Sequence, residues 1–224
     1  MASLILDDIV IHQGQQRLLS LDTAVAPGEV LTVMGPSGVG KSTLLAFIAG
    51  FLSPAFQAQG RVLLEETRID TLPAEQRHVG LLFQDPLLFP HLDVAGNLAF
   101  GMVREGTRRQ RRERIHDALS SVGLEAFAGR DPSTLSGGQK ARVALLRVLL
   151  SQPRAILLDE PFSKLDAARR DEIRHWVFER VRHYRLPTLM VTHDEADAQA
   201  AGGRILRLTE RGTAMESIDQ EKRT

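Results

Sequence analysis

The 224-residue sequence predicts an α/β fold: a mostly parallel sheet, preceded by an antiparallel N-terminal β subdomain and interrupted by an inserted helical subdomain. Three observations predict it. A glycine-rich stretch, residues 35–43, is framed by an apolar strand pattern before it and an apolar helix pattern after it. Short runs of almost unbroken apolar character, 79–83, 155–158 and 188–191, recur between other elements, as strands covered on both faces do. Between the first two runs, residues 85–131 carry apolar side chains at helical spacing and nothing that alternates with period two.

Taken in order, residues 4–11 alternate loosely and read as a strand, 12–16 as a polar turn, and 18–25 as a second strand, a hairpin-like start. Pro27-Gly28 turns tightly into the strand 30–34. A helix over 43–49 is stopped by Gly50. Leu52-Ser53-Pro54 breaks the chain, and 60–65 reads as a strand returning to the sheet. Helical spacing then governs 94–100 and again Ile115, Leu119 and Val122, the second helix opened by an arginine-rich turn. A further helix opens from Leu135, runs over 139–150 and ends at Pro153. The strand 155–158 terminates in Asp159-Glu160. A helix over 167–183, a strand over 188–191 and a last strand over 204–208 lead to a polar tail, 216–224, that reads as frayed. The expected organisation is one domain over 1–210, its helical insertion at about 86–150, with a tail over 211–224.

Composition narrows the chemistry. The 28 basic and 28 acidic residues balance, so no global basic field points to nucleic acid. Cysteine is absent, which excludes disulfide frameworks, thiolate chemistry and cysteine-zinc sites and fits a reducing compartment. The N-terminus lacks a basic region and meets acid at Asp7, unlike a secretory signal, and no apolar run reaches the length of a membrane span. Arg104 to Arg114 is rich in arginine, but Glu105 and Glu113 dilute it and no aromatics interleave for base stacking, so it reads as a solvated helix face.

Gly35-Pro36-Ser37-Gly38-Val39-Gly40-Lys41-Ser42-Thr43 fits the phosphate-binding pattern G-x-x-x-x-G-K-[ST]. Glycines let the loop curl so that backbone N–H groups converge on phosphate oxygens, and the helix start adds partial positive charge. Lys41 is placed to reach β- and γ-phosphates, and the Ser42 hydroxyl to ligate Mg²⁺. Leu135-Ser136-Gly137-Gly138-Gln139 makes a second helix start able to face an anion; taken alone it better fits an ordinary helix start capped by Ser136.

These strings in this order resemble the ATP-binding cassette (ABC) ATPases over nearly the whole chain, 4–208. Residues 135–139 match that family's signature, Asp159-Glu160-Pro161 its Walker B motif, Gln84 its Q-loop, Asp166 in Ser163-Lys164-Leu165-Asp166 its D-loop, and His193 in Val191-Thr192-His193-Asp194 its switch histidine. The resemblance implies a RecA-like phosphate-loop NTPase sheet and ATP hydrolysis. It implies that Asp159, with Ser42 and Gln84, holds Mg²⁺, that Glu160 is the general base or orients water, and that His193 contacts the γ-phosphate and steadies the base. Ser136, Gly138 and Gln139 would reach ATP held by a second cassette, with Asp166 at the same interface. The implied partners are a second copy, transmembrane permease subunits and, through them, a substrate-binding protein, at the cytoplasmic face of the inner membrane. No nucleic-acid partner is expected.

Three positions depart from the family pattern. Gln13 stands where an aromatic usually stacks on adenine, leaving His12 or apolar contact to hold the base. Lys164 brings charge to a D-loop position that is commonly small, and Leu146 replaces a usual alanine. The stretch from Gln84 to Leu92 resembles importers for thiamine, iron, sulfate, molybdate or polyamines, and the short run after the last strand leads to the expectation that the regulatory domain of longer relatives is lacking. The alternatives are an exporter or lipoprotein-release cassette, which shares all this chemistry, and a soluble cassette acting on DNA or ribosomes. The latter typically has two cassettes or a long coiled coil, neither of which is in this sequence.

Overall fold

The computed structural model describes residues 3–165, 167–209 and 212–217. It opens with β1 (Leu4–Gln13) and β2 (Gln16–Val25), paired antiparallel. Then come β3 (Val30–Met34), α1 (Lys41–Ala49), β4 (Phe56–Leu64), β5 (Thr67–Arg68) and β6 (Val79–Leu82). The segment between strands holds α2 (Val94–Gly101), α3 (Arg108–Ser120) and α4 (Gly137–Leu150). The chain returns through β7 (Ala155–Asp159), α5 (Ala167–His183), β8 (Thr188–Val191), α6 (Glu195–Ala201), β9 (Ile205–Leu208) and β10 (Ala214–Ser217).

Two sheets result. An antiparallel one runs β2-β1-β4-β5, and a larger one runs β10-β9-β3-β8-β7-β6, parallel except for β10. The continuous apolar runs have a direct cause. Alternate residues of β7 enter two different cores: Ala155 and Leu157 pack with β1, α1 and Leu189, whereas Ile156 and Leu158 pack with α2, α4 and Phe178. A strand buried on both faces turns no side chain to water, which favours an apolar run.

In β1 the buried set steps from Leu6 to Ile9 across a bulge at Asp7-Asp8, which keeps Leu4, Leu6, Ile9 and Ile11 on one face. Gly60 of β4 answers that bulge at φ 103°, where a Cβ would stand 2.5 Å from the Asp8 carbonyl oxygen. Arg77 ties the antiparallel sheet to the end of α1. Its buried guanidinium donates to the carbonyls of Phe47 and Ile48 at 2.8 and 2.9 Å, to Leu72 at 2.8 Å and to Asp70 at 2.9 Å.

Several boundaries differ from the sequence reading. β4 starts at Phe56 rather than 60, α1 at Lys41 rather than 43, and α4 at Gly137 rather than 139. The sequence passes from the strand 188–191 straight to 204–208, but α6 lies between, started by Asp194, whose side chain accepts the Ala196 and Asp197 N–H groups. Ala198 and Ala201 are its buried apolar residues, too small and few to register as a periodic stripe. The tail is also corrected in part: Ala214–Ser217 is a strand paired with β9, so Glu216 and Ser217 belong to the sheet; 218–224 lie outside the described residues. Among the described residues no helix is long and apolar enough to cross a membrane.

Candidate functional site

Parallel pairing brings four strand ends to one edge. Leu82 of β6 lies against Leu158, Asp159 of β7 against Val191, and Val33 of β3 against Val191 of β8. The loops leaving that edge carry Gln84, Asp159-Glu160, His193 and the glycine-rich segment, the position where open α/β sheets bind ligands.

Within the glycine-rich segment, Pro36, Ser37 and Gly38 are exposed, and Val39 is buried and pins the loop to the core. Gly40 is the N-cap of α1 at φ 96°, without a side-chain cap, and no acidic residue lies in the first turn. The first N–H groups of α1 therefore have no side-chain acceptor, as an anion site requires. Lys41 Nζ donates to the carbonyls of Gly35 and Pro36, 2.8 Å each, arching the loop over its own cation. Burial lowers the Lys41 pKa against the raising influence of Glu160 and Asp159. Thr43, half-buried, completes the segment.

Ser42 Oγ donates to Asp159 Oδ1 at 3.1 Å. Burial raises the Asp159 pKa, the Glu160 charge adds to that, and Ser42 and Lys41 oppose it. A hydroxyl and a carboxylate, both hard oxygen donors, side by side beside an anion cradle fit Mg²⁺, which keeps much of its water and takes few protein ligands. Gln84 is exposed in the loop after β6, on the same edge.

Glu160 has a left-handed backbone, φ 48°, and its N–H donates to the Val191 carbonyl at 2.9 Å. Its side chain is 11 % exposed, with Oε1 2.7 Å from His193 Nδ1 and Oε2 3.3 Å from Thr192 Oγ1. The hydrogen bond to Glu160 raises the His193 pKa, and the Glu160 charge adds to it. Structure thus joins Ser42 to Asp159 and Glu160 to His193, pairs separated by 117 and 33 positions.

The second glycine-rich stretch is the start of α4. Ser136 Oγ accepts the Gln139 N–H at 3.3 Å while Gln139 Oε1 accepts the Ser136 N–H at 2.9 Å, a reciprocal cap. Gly137 and Gly138 lie in this first turn, and a Cβ on Gly137 would approach the Lys164 carbonyl at 3.9 Å. Arg142, one turn on, donates to the Val122 carbonyl at 2.7 Å and fixes the helix start to the helical lobe. Asp166 lies outside the described residues. Lys164, the unusual charge in that segment, forms an ion pair with Asp85, the neighbour of Gln84.

Gln13 pairs in register with Phe56, so those two side chains share a face, and His12 faces the other way. The sequence reading missed Thr192 as a contact of Glu160, although it stands beside His193. It also missed Asp197 and Arg174, because the bond between α6 and α5 has no local signature.

The family model described as ABC transporter matches residues 18–163. An "Uncharacterized ABC transporter ATP-binding protein YnjD" of Escherichia coli (strain K12) is 48% identical over 86% of this chain and 89% of that protein. A "Spermidine/putrescine import ATP-binding protein PotA" of Frankia alni is 45% identical over 83% of this chain, which spans 39% of that longer protein. Among solved structures, a dimeric post-hydrolysis state of the ATP-binding cassette MJ0796 bound to ADP and Pi superposes with a TM-score of 0.82 at 29% identity, over 96% of this chain and 97% of that one.

Proposed function

The chain belongs to the ABC transporter family and is an ATP-binding ATPase, and we propose that it energises import through a separate membrane permease as a homodimer closing on two ATP molecules. The observation that carries the chemistry is the single sheet edge where the phosphate loop, Ser42 with Asp159, and Glu160 with His193 converge.

In this reading the N–H groups of Gly38, Gly40, Lys41 and Ser42 and the Lys41 ammonium hold the β- and γ-phosphates. Ser42, Asp159 and Gln84 would hold Mg²⁺, which would supply neutralisation of charge on the phosphate oxygens. Glu160 orients water and accepts its proton, and His193 steadies Glu160 and turns to the γ-phosphate. Ser136, Gly138 and Gln139 of each copy complete the site of the other, with Asp166 beside them, so ATP becomes part of the interface and hydrolysis releases it.

Import is supported by the 45% identity to the Frankia alni importer subunit and by the apolar surface next to Gln84. There Leu87 is 57% and Phe100 68% exposed, and the Phe89 ring packs tilted against Phe100 with centroids 4.5 Å apart. Asn97, fully buried, bonds the Phe89 N–H at 2.8 Å and the Leu92 carbonyl at 3.1 Å, fixing this segment to α2. Such a rigid apolar ledge suits a permease helix, with a substrate-binding protein engaged beyond the bilayer and the cassette on the cytoplasmic membrane face. One domain over 1–210 with the helical insertion at about 86–150 would carry all of this.

The test is recovery of tagged Glu160→Gln protein with ATP from detergent-solubilised native membranes, read by mass spectrometry. A stoichiometric multi-spanning protein together with a periplasmic or surface binding protein supports import. A multi-spanning partner of exporter type, or ribosomes and DNA-associated proteins without one, overturns it.

A further inference from the structure

Behind Glu160 runs a buried polar chain that the sequence motifs do not account for. Thr192 has no exposed surface, and its single hydroxyl proton sits between two carboxylates, Glu160 Oε2 at 3.3 Å and Asp197 Oδ2 at 3.3 Å. The same oxygen accepts the Asp194 N–H at 3.1 Å, which fixes one of its lone pairs. Asp197 is 2% exposed and already compensated: Arg174 of α5 donates Nε to Asp197 Oδ1 at 2.5 Å and pairs through Nη2 with the same oxygen. Arg174 is held in turn by Asp171 at 2.8 Å, and its guanidinium lies over the Phe162 ring, 6.0 Å from the centroid, in the segment that follows Glu160.

We infer that Thr192 is a positioning residue for Glu160; this rests on the reading of Glu160 as the base. Two physical arguments carry it. The hydroxyl has one proton to give, and Asp197 already takes two donors of a buried arginine, whereas Glu160 has only the exposed His193, so the less compensated carboxylate draws the proton. The second argument is persistence. His193, 72% exposed at its side chain, holds Glu160 Oε1 and is free to turn toward a phosphate. Once it does, the terminal torsion of a glutamate is a broad two-fold well, and a carboxylate held at neither oxygen samples many planes. Thr192, buried behind the strand end, stays on Oε2 and keeps Oε1 aimed at the place His193 vacates. A base misaimed by a fraction of an ångström loses rate without losing nucleotide affinity.

The experiment is steady-state ATP turnover of the full chain, with Mg-ATP binding and thermal melting measured alongside. Thr192→Val is expected to lower kcat about tenfold with KM for ATP changed by less than about twofold, and Thr192→Ser to recover most of the loss. Asp197→Asn leaves Arg174 an oxygen acceptor and removes the competing claim on the hydroxyl, so its kcat stays at or above the parent's. Parental kcat in Thr192→Val, a Thr192→Ser as slow as Thr192→Val, or an Asp197→Asn slowed to the same degree overturns the inference. Glu160→Gln is the control that separates the two layers. If it turns over ATP at the parental rate, the base reading itself fails. A dead Glu160→Gln beside a fully active Thr192→Val leaves that reading intact and removes the role of Thr192 alone.

Discussion

The Ser42 hydroxyl donates to Asp159 Oδ1 across 3.1 Å, joining the first turn of α1 to the end of β7. Because burial disfavours the charged form of Asp159, that carboxylate costs the nucleotide-free chain stability. The cost is absent below the unfolded-state pKa, where both states are protonated, and is complete above the raised folded value. Asp159→Asn is therefore expected to melt about 2–5 °C higher than the parent near neutral pH without metal, while losing Mg-dependent turnover. Calorimetry across pH should show the gap closing on acidification; a variant that melts lower at neutral pH contradicts the assignment of strain to this carboxylate.

The 2.7 Å contact between His193 and Glu160 makes a second prediction. A histidine whose folded-state pKa is raised contributes stability that is full below the free imidazole value and lost as pH rises through the raised one. Histidine-selective NMR titration should find His193 above free imidazole in the parent and back at its ordinary value in Glu160→Gln. Identical titration curves in the two proteins would show that the pair does not exist in solution.

Lys41 now donates to two carbonyls of its own loop, and those bonds hold the arch that a nucleotide must find. Lys41→Ala removes both the cation and the brace. Calorimetric ATP binding is expected to weaken at least about tenfold, since each charge-assisted bond is a large fraction of a decade or more. Binding within twofold of the parent would mean that the backbone cradle suffices.

Gly60 carries a purely structural prediction. With φ at 103° and the Asp8 carbonyl 2.5 Å from any Cβ, Gly60→Ala has to move the bulge of β1. A loss of about 2–4 kcal/mol in urea unfolding is expected, with nucleotide contacts untouched because the bulge lies outside the sheet edge that carries them. A neutral substitution would mean that the bulge is free to relax.

Much of this molecule was legible in its sequence because the relevant physics is local. Gly50 stops α1 in a left-handed cap, and β3, β7 and β8 are apolar except at Thr32, Thr188 and the terminal Asp159 because each is buried on both faces. The alternation of such strands with helices gave the α/β class, and residue strings at fixed order gave the family. What stayed hidden depends on contacts across the chain. α6 was missed because its seven residues bury mainly alanine and Asp197, although Asp194 before it and Gly202 after it are ordinary start and stop signals. β10 was missed because Glu216 and Ser217 are polar and their pairing with β9 is set by the sheet rather than by hydropathy. The partnership of Thr192, Asp197 and Arg174 required α5 to be laid against α6, which no window of sequence displays. The resting state of Lys164, paired with Asp85 rather than left as a bare charge, is of the same kind.

The reciprocal cap on α4 bears on the proposed homodimer. Ser136 and Gln139 satisfy each other's backbone N–H groups inside one chain, so this turn is already rigid before any second copy arrives. Flexible recognition loops lose conformational entropy at the moment of contact; this one lost it during folding. In the proposed dimer, a nucleotide presented by the partner would exchange one hydrogen bond for another and would not have to order a disordered segment. Encounter should then be governed by diffusion and nucleotide occupancy, with little temperature-dependent lag from local rearrangement.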